Sequence, residues 1–186
     1  MKKLSFALIG ILFVINSNMY SQNEISPEKN VQGSLSLSGM VFNDPDAAEA
    51  FGTITLLGGS LEKDFSDNFG GVGFLNLGTK TVDEETLKYT EIGAGIQYFW
   101  LKTNGSGFNG ITTLGLKNIW ISVKDDSYSA SGSCIGFYCS LGFRIPLSDK
   151  TSFGIFWDST WATMTIDRES GDVGSQIFSG VLTFNF

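Results

Sequence analysis

Residues 174–186 read GSQIFSGVLTFNF. Counted back in twos, Phe186, Phe184, Leu182, Gly180 and Phe178 share one side, and Asn185, Thr183, Val181, Ser179 and Ile177 share the other. A period of two marks an extended strand, because successive side chains point to opposite faces. One face here is aliphatic and aromatic, and the other is mostly small and polar. A row of exposed Phe on a soluble domain drives association, so the greasy face calls for a solvent other than water.

Seven more segments of the same kind precede it, at 31–42, 51–61, 69–78, 87–101, 110–123, 133–145 and 151–166. The sixth alternates most clearly. Ile135, Phe137, Cys139, Leu141, Phe143 and Ile145 face one way, and Cys134, Gly136, Tyr138, Ser140, Gly142 and Arg144 face the other. The second and third alternate poorly, and their glycines suggest bulges or tight interior packing. Only 46–50 could form a turn of helix. These strands exceed the ~5–6 residues common in soluble sheets and suit tilted crossings of a bilayer, which take ~9–11. An even number of them closes into a cylinder with no bare edge in lipid. The expected fold is therefore all-β: an eight-stranded antiparallel up-and-down transmembrane β-barrel over 31–186, closed by pairing of the first and last strands.

The N-terminus reads as a targeting segment. Lys2 and Lys3 precede an apolar run over 4–15, too short to span a bilayer, and polar residues follow. The expected signal peptide is 1–21, with a short polar lead at 22–30. The chain has 186 residues, 12 Lys and Arg against 19 Asp and Glu, and no His. The acidic balance argues against nucleic acid, which needs a basic face. The absence of His removes Ser-His-Asp catalysis and His-ligated metal sites. No metal, no cofactor and no catalytic residue is expected. Cys134 and Cys139 sit five apart on one strand, on opposite faces and ~17 Å apart, so both read as free thiols.

The segments between strands sort by charge. The odd-numbered turns (43–50, 79–86, 124–131 and 167–172) carry −8 together, and the even-numbered turns (62–67, 102–109 and 146–150) carry −1. Acidity therefore gathers at one end, the outer end if the termini are periplasmic. Aromatics bracket the span. Phe186, Phe184, Phe153, Phe143, Tyr98 and Trp100 fall near the terminal end, and Trp120, Trp161, Phe42 and Phe51 near the loop end. Trp100, Trp120, Trp157 and Trp161 are read as interfacial anchors.

The leader, the eight strands and the terminal Phe178-x-Gly180-x-Leu182-x-Phe184-x-Phe186 together resemble the small bacterial outer-membrane barrels, of the outer membrane protein beta-barrel domain and OmpA/OmpX kind. That resemblance implies a Gram-negative outer-membrane location and a lipid-embedded monomer. It also implies that Phe178, Leu182, Phe184 and Phe186 form the signal read by the outer-membrane assembly machinery. It transfers no activity and leaves any extracellular ligand unknown.

Four charges fall on the predicted inner face: Glu91, Lys117, Arg144 and Asp158. Eight strands leave no open pore, so side chains fill the lumen, and charges there need partners. Glu91 and Lys117 lie on neighbouring strands and are placed to meet. Arg144 and Asp158 also lie on neighbours, but strand stagger has to bring them level. The functional expectation is a non-enzymatic surface or structural barrel acting through acidic outer loops. Two alternatives stay open: a secreted or periplasmic lipocalin-like barrel carrying a small apolar ligand, and a narrow solute conduit. The apolar face decides between the first two, being outside in a membrane barrel and inside in a carrier.

Overall fold

The computed structural model describes residues 31–101, 108–125, 127–166 and 169–186, so the predicted signal peptide and polar lead lie outside the described residues. Eight strands form one closed antiparallel barrel. They are β1 Val31–Phe42, β2 Ile54–Asp64, β3 Phe69–Val82, β4 Glu85–Leu101, β5 Asn109–Lys124, β6 Ser129–Ser148, β7 Thr151–Trp161 and, last in the chain, β10 Ser175–Asn185. A separate hairpin, β8 Thr163–Ile166 with β9 Glu169–Asp172, stands at the loop end. The predicted seventh strand, 151–166, thus breaks at Ala162 into a barrel strand and a hairpin arm.

β1 pairs with β10 from Gln32–Asn185 to Phe42–Ser175, so the first and last strands seal the sheet. A circuit of paired residues fixes the geometry. It leaves β1 at Val41 and runs through Gln176, Ser159, Cys139, Leu114, Ile96, Gly71 and Lys63. It returns to β1 at Val31, ten residues lower. With eight strands, that stagger tilts each strand by about 40° and gives a backbone radius of roughly 8–9 Å.

The exterior is apolar. Leu35, Leu57, Ile96, Leu116, Ile135, Ile155 and Phe178 are each at least 60% exposed, though as core residues in a soluble protein they would be covered. Ser34, Glu62, Glu91, Gln97, Lys117, Arg144 and Thr183 are buried inside. This is the membrane arrangement and the reverse of a lipocalin-type carrier. Many of the glycines in the strands have a steric cause. Gly58 faces Asn76 and Ser36, the rings of Phe74, Tyr138 and Phe156 lie across Gly93, Gly115, Gly142 and Gly154, and the Tyr138 hydroxyl lies against Gly95. The glycines are cut-outs for large interior groups.

Several expectations change at the loop end. Residues 45–51 form a seven-residue helix, α1, longer than the expected turn. Asp44 caps it, its carboxylate accepting from the Ala47 N–H at 2.9 Å, Pro45 starts it, and Gly52 ends it at φ 57°. Phe42, expected in the outer girdle, is 5% exposed, because it shares a face with Ser38 and Met40. Phe51 sits on α1 against the same interior cluster. The third predicted turn segment, 79–86, shrinks to Asp83 and Glu84, with Asp83 at φ 53°.

Gly142→Val drives a side chain into the Phe156 ring and should cost about 1–3 kcal/mol. Gly171→Ala, where the added carbon meets nothing within 4 Å, should stay within about 0.5 kcal/mol of wild type. Urea unfolding midpoints of the micelle-bound barrel measure both, and equal losses would count against the cut-out account.

Candidate functional site

Residues that could carry function lie in two places: the lumen and the rim above it. The lumen is layered. At the loop end Met40, Phe42, Ile54, Leu56, Leu87, Tyr89, Ile119, Ile121, Met164 and Ile177 pack together across the barrel, with Ala47 and Phe51 of α1 against them. Below this apolar layer the lumen turns polar.

The upper polar layer centres on Glu91. Lys117 Nζ lies 2.6 Å from its Oε2, Tyr89 donates to the same oxygen at 2.7 Å, and Asn76 donates to Oε1 at 2.7 Å. Lys117 stands opposite Gly93 in the β4–β5 register, two residues from Glu91, so the contact is the diagonal between inward neighbours. Both residues are almost fully buried. The Lys117 ammonium also sits 5.9 Å from the centre of the Tyr138 ring.

The lower layer centres on Glu62, and here the structure corrects the expected pairing. Arg144 does not take Asp158 as its ion-pair partner. Its Nη2 donates to both Glu62 oxygens, at 2.8 and 2.9 Å, and its Nη1 donates to Gln32 at 2.9 Å. Gln97 and Ser34 donate to Glu62 as well, at 3.1 and 3.2 Å. β2 and β6 are four strands apart in either direction, so this pair crosses the full width of the lumen. Neighbour-to-neighbour reasoning missed it because the barrel is narrow enough for one long side chain to reach the far wall. By its polar surroundings Glu62 reads as a turn residue, whereas β2 runs on through Asp64. The signal was present: Ile54, Leu56, Ser60 and Glu62 share one parity.

Asp158 lines the lumen and stands opposite Ser140 in the β6–β7 register. The tryptophans lie outside: Trp100, Trp120, Trp157 and Trp161 are 39–55% exposed. Trp100 crosses the Phe143 ring edge-on at 5.4 Å, Trp161 stacks on Phe137 at 5.9 Å, and the Trp157 indole donates to Gln176 at 2.8 Å. At the terminal seam Phe178 and Phe186 are strongly exposed, while Leu182 and Phe184 are half-buried. Phe186 also bonds the Val31 carbonyl through its N–H at 3.3 Å, and its ring covers Gly33. Cys134 and Cys139 are free.

The rim is acidic. Asp83, Glu84, Glu85 and Asp125 border a groove of about 520 Å³ with Ala50, Val82 and Ser127. Asp125 organises the β5–β6 turn. Its Oδ1 accepts from the Ser127 and Tyr128 N–H groups at 2.6 and 2.5 Å and from the Ser127 hydroxyl at 3.1 Å. Those N–H bonds hold its carboxyl below the usual carboxylate range. The turn therefore keeps this support at neutral pH and loses it as pH falls through that lowered value. Among the described residues no group of acidic and Cys side chains is placed to hold a metal.

Removing one partner of a buried ion pair costs about 3–5 kcal/mol, whereas replacing both with apolar residues is often close to neutral. Arg144→Met and Glu62→Leu should each lower the urea midpoint strongly, and the double variant should recover most of the loss. A double variant as unstable as either single one would argue against the cross-lumen pair.

No protein-family model and no curated protein sequence matches the chain. Solved structures do match in shape. Neisserial surface protein A superposes with a TM-score of 0.66 at 12% identity, covering 84% of this chain and 96% of that one. The N-terminal β-barrel domain of Pseudomonas aeruginosa OprF gives 0.58 at 14%, covering 83% and 97%. Ail, the attachment invasion locus protein of Yersinia pestis, gives 0.55 at 11%, covering 85% and 97%. The chain has the closed eight-stranded fold of the small outer-membrane barrels.

Proposed function

We propose that this chain is an integral outer-membrane protein of a Gram-negative bacterium. Its lumen is filled by side chains, and it serves the envelope as a structural or surface-interaction protein through its acidic rim, without catalysis. The observation that carries this reading is the apolar, aromatic exterior of a sheet with no free edge. Such a surface aggregates in water and is satisfied in hydrocarbon. The superposed proteins, among them a Neisserial surface protein and an attachment invasion locus protein, support the same setting. The apolar layer beneath α1 argues against a solute conduit, since a path along the barrel meets it at the loop end. Lipid is the main partner of the exterior. Phe178, Leu182, Phe184 and Phe186 serve as the signal for the assembly machinery, and the barrel acts as a monomer. The rim groove, bordered by four carboxylates, suits a cationic extracellular partner.

Orientation and assembly can be read in one experiment. Intact Gram-negative cells expressing the full chain are treated with a membrane-impermeant maleimide. Ser127→Cys on the rim should label well above wild type, and Ser148→Cys at the opposite end should not. Deleting Phe186 in the Ser127→Cys background should reduce labelling severalfold. Equal labelling at the two ends, or labelling only at Ser148→Cys, would contradict the orientation. Full labelling without Phe186 would contradict its role in assembly.

A further inference from the structure

Between its two ion pairs the lumen keeps a chamber of about 90 Å³, bordered by Glu62, Glu91, Asp158, Lys117, Tyr138 and Gln97 among others. That is room for several waters or one small ion with part of its hydration shell. The charges around it do not cancel. Three carboxylates, Glu62, Glu91 and Asp158, meet two cations. Arg144 is committed to Glu62 and Lys117 to Glu91. Asp158 stands opposite Ser140 in the β6–β7 register, and among the described residues neither of these ion pairs includes it, although the Lys117 ammonium that is bound to Glu91 also attracts it across the chamber. An ionised Asp158 therefore leaves the chamber with one negative charge in excess, a state that a proton or a bound cation relieves.

Two oxygens on this chamber also lack partners. Tyr138 Oη and Gln97 Oε1 are buried without a hydrogen bond, on residues 4% and 3% exposed. Unsatisfied buried oxygens are uncommon and call for an explanation such as an ion or ordered water. Tyr138 borders the chamber together with all three carboxylates, and the Lys117 ammonium lies 5.9 Å from the centre of its ring. Every donor here is a hard oxygen, the kind that suits hard cations. A divalent ion is disfavoured, because among the described residues no three acidic or Cys side chains converge on a point, and the charge to be balanced is one.

We propose that this chamber binds one small monovalent alkali cation, Na⁺ or K⁺, held at the Asp158 carboxylate and the Tyr138 hydroxyl, with water linking it to Gln97. Its role is to neutralise and fill the lumen. The site is independent of the rim and of any surface role.

The test uses the folded barrel in zwitterionic detergent at fixed pH and ionic strength. Tryptophan fluorescence gives the thermal midpoint in NaCl, KCl and N-methyl-D-glucamine chloride, whose cation is too large for the chamber. The midpoint should rise by about 3–5 °C for each tenfold increase of the bound cation above its dissociation constant. The larger shift identifies Na⁺ or K⁺. Asp158→Asn, which removes the charge and keeps the shape, should abolish the dependence, and Tyr138→Phe should weaken it. Asp83→Asn on the rim should leave it intact, which separates the chamber from surface screening. Equal wild-type midpoints in all three salts would overturn the proposal, as would a dependence that survives Asp158→Asn. Should that variant fail to fold, a Tyr138→Phe barrel with undiminished dependence would overturn it equally.

Discussion

Pairing of β1 with β10 is the interaction on which the rest of the structure depends. In hydrocarbon no water reaches a bare strand edge, and each unpaired backbone group costs several kcal/mol. The register from Gln32–Asn185 to Phe42–Ser175 leaves no such edge along the seam. It also sets the ten-residue stagger, and with it the tilt and radius of the cylinder. The greasy row of β10 is consequently turned to lipid, and the row carrying Ser179 and Thr183 is turned to the lumen. The Phe186 ring covers Gly33 where the seam ends.

Radius then dictates the interior. A lumen of this width is too narrow for an open channel and too wide to be filled by backbone, so side chains must meet across it. Ring stacking and glycine alternate for that reason, and an Arg on β6 can satisfy a Glu on β2 at the opposite wall. The layers differ in character because the ends differ. Apolar packing under α1 separates the polar lumen from the loop end, while charge pairs and the chamber occupy the middle and the terminal end. The acidic rim is distinct from this interior, since its carboxylates face water and are held by turns.

Much of the fold is legible in the sequence because lipid imposes a strict period of two. On β6, Ile135 through Ile145 alternate with Cys134 through Arg144, and the structure keeps both rows. Strand ends are less legible. Glu62 looks like a turn residue because Glu-Lys-Asp is polar, and only its parity with Leu56 and Ser60 betrays an inward strand position. The internal charges divide the same way. Glu91 and Lys117 lie on adjacent strands, and their contact is local enough to anticipate. The Glu62–Arg144 contact is not, because it depends on the closed radius, which no single strand encodes. Phe51 is placed inward because residues 45–51 form a helix and not an open turn, and Phe42 because it shares the parity of Ser38 and Met40 on β1. The unpaired state of Asp158 likewise emerges only when Arg144 is seen to be engaged elsewhere.

The central claim is a closed sheet whose exterior is solvated by lipid. It is tested most directly by the gel mobility of detergent-extracted protein, loaded unheated and boiled. A barrel sealed along β1 and β10 stays folded in the unheated lane and should migrate at a different position from the boiled chain, with the protein recovered in the membrane fraction. Identical mobility in the two lanes, with the protein in the aqueous fraction, would contradict the account.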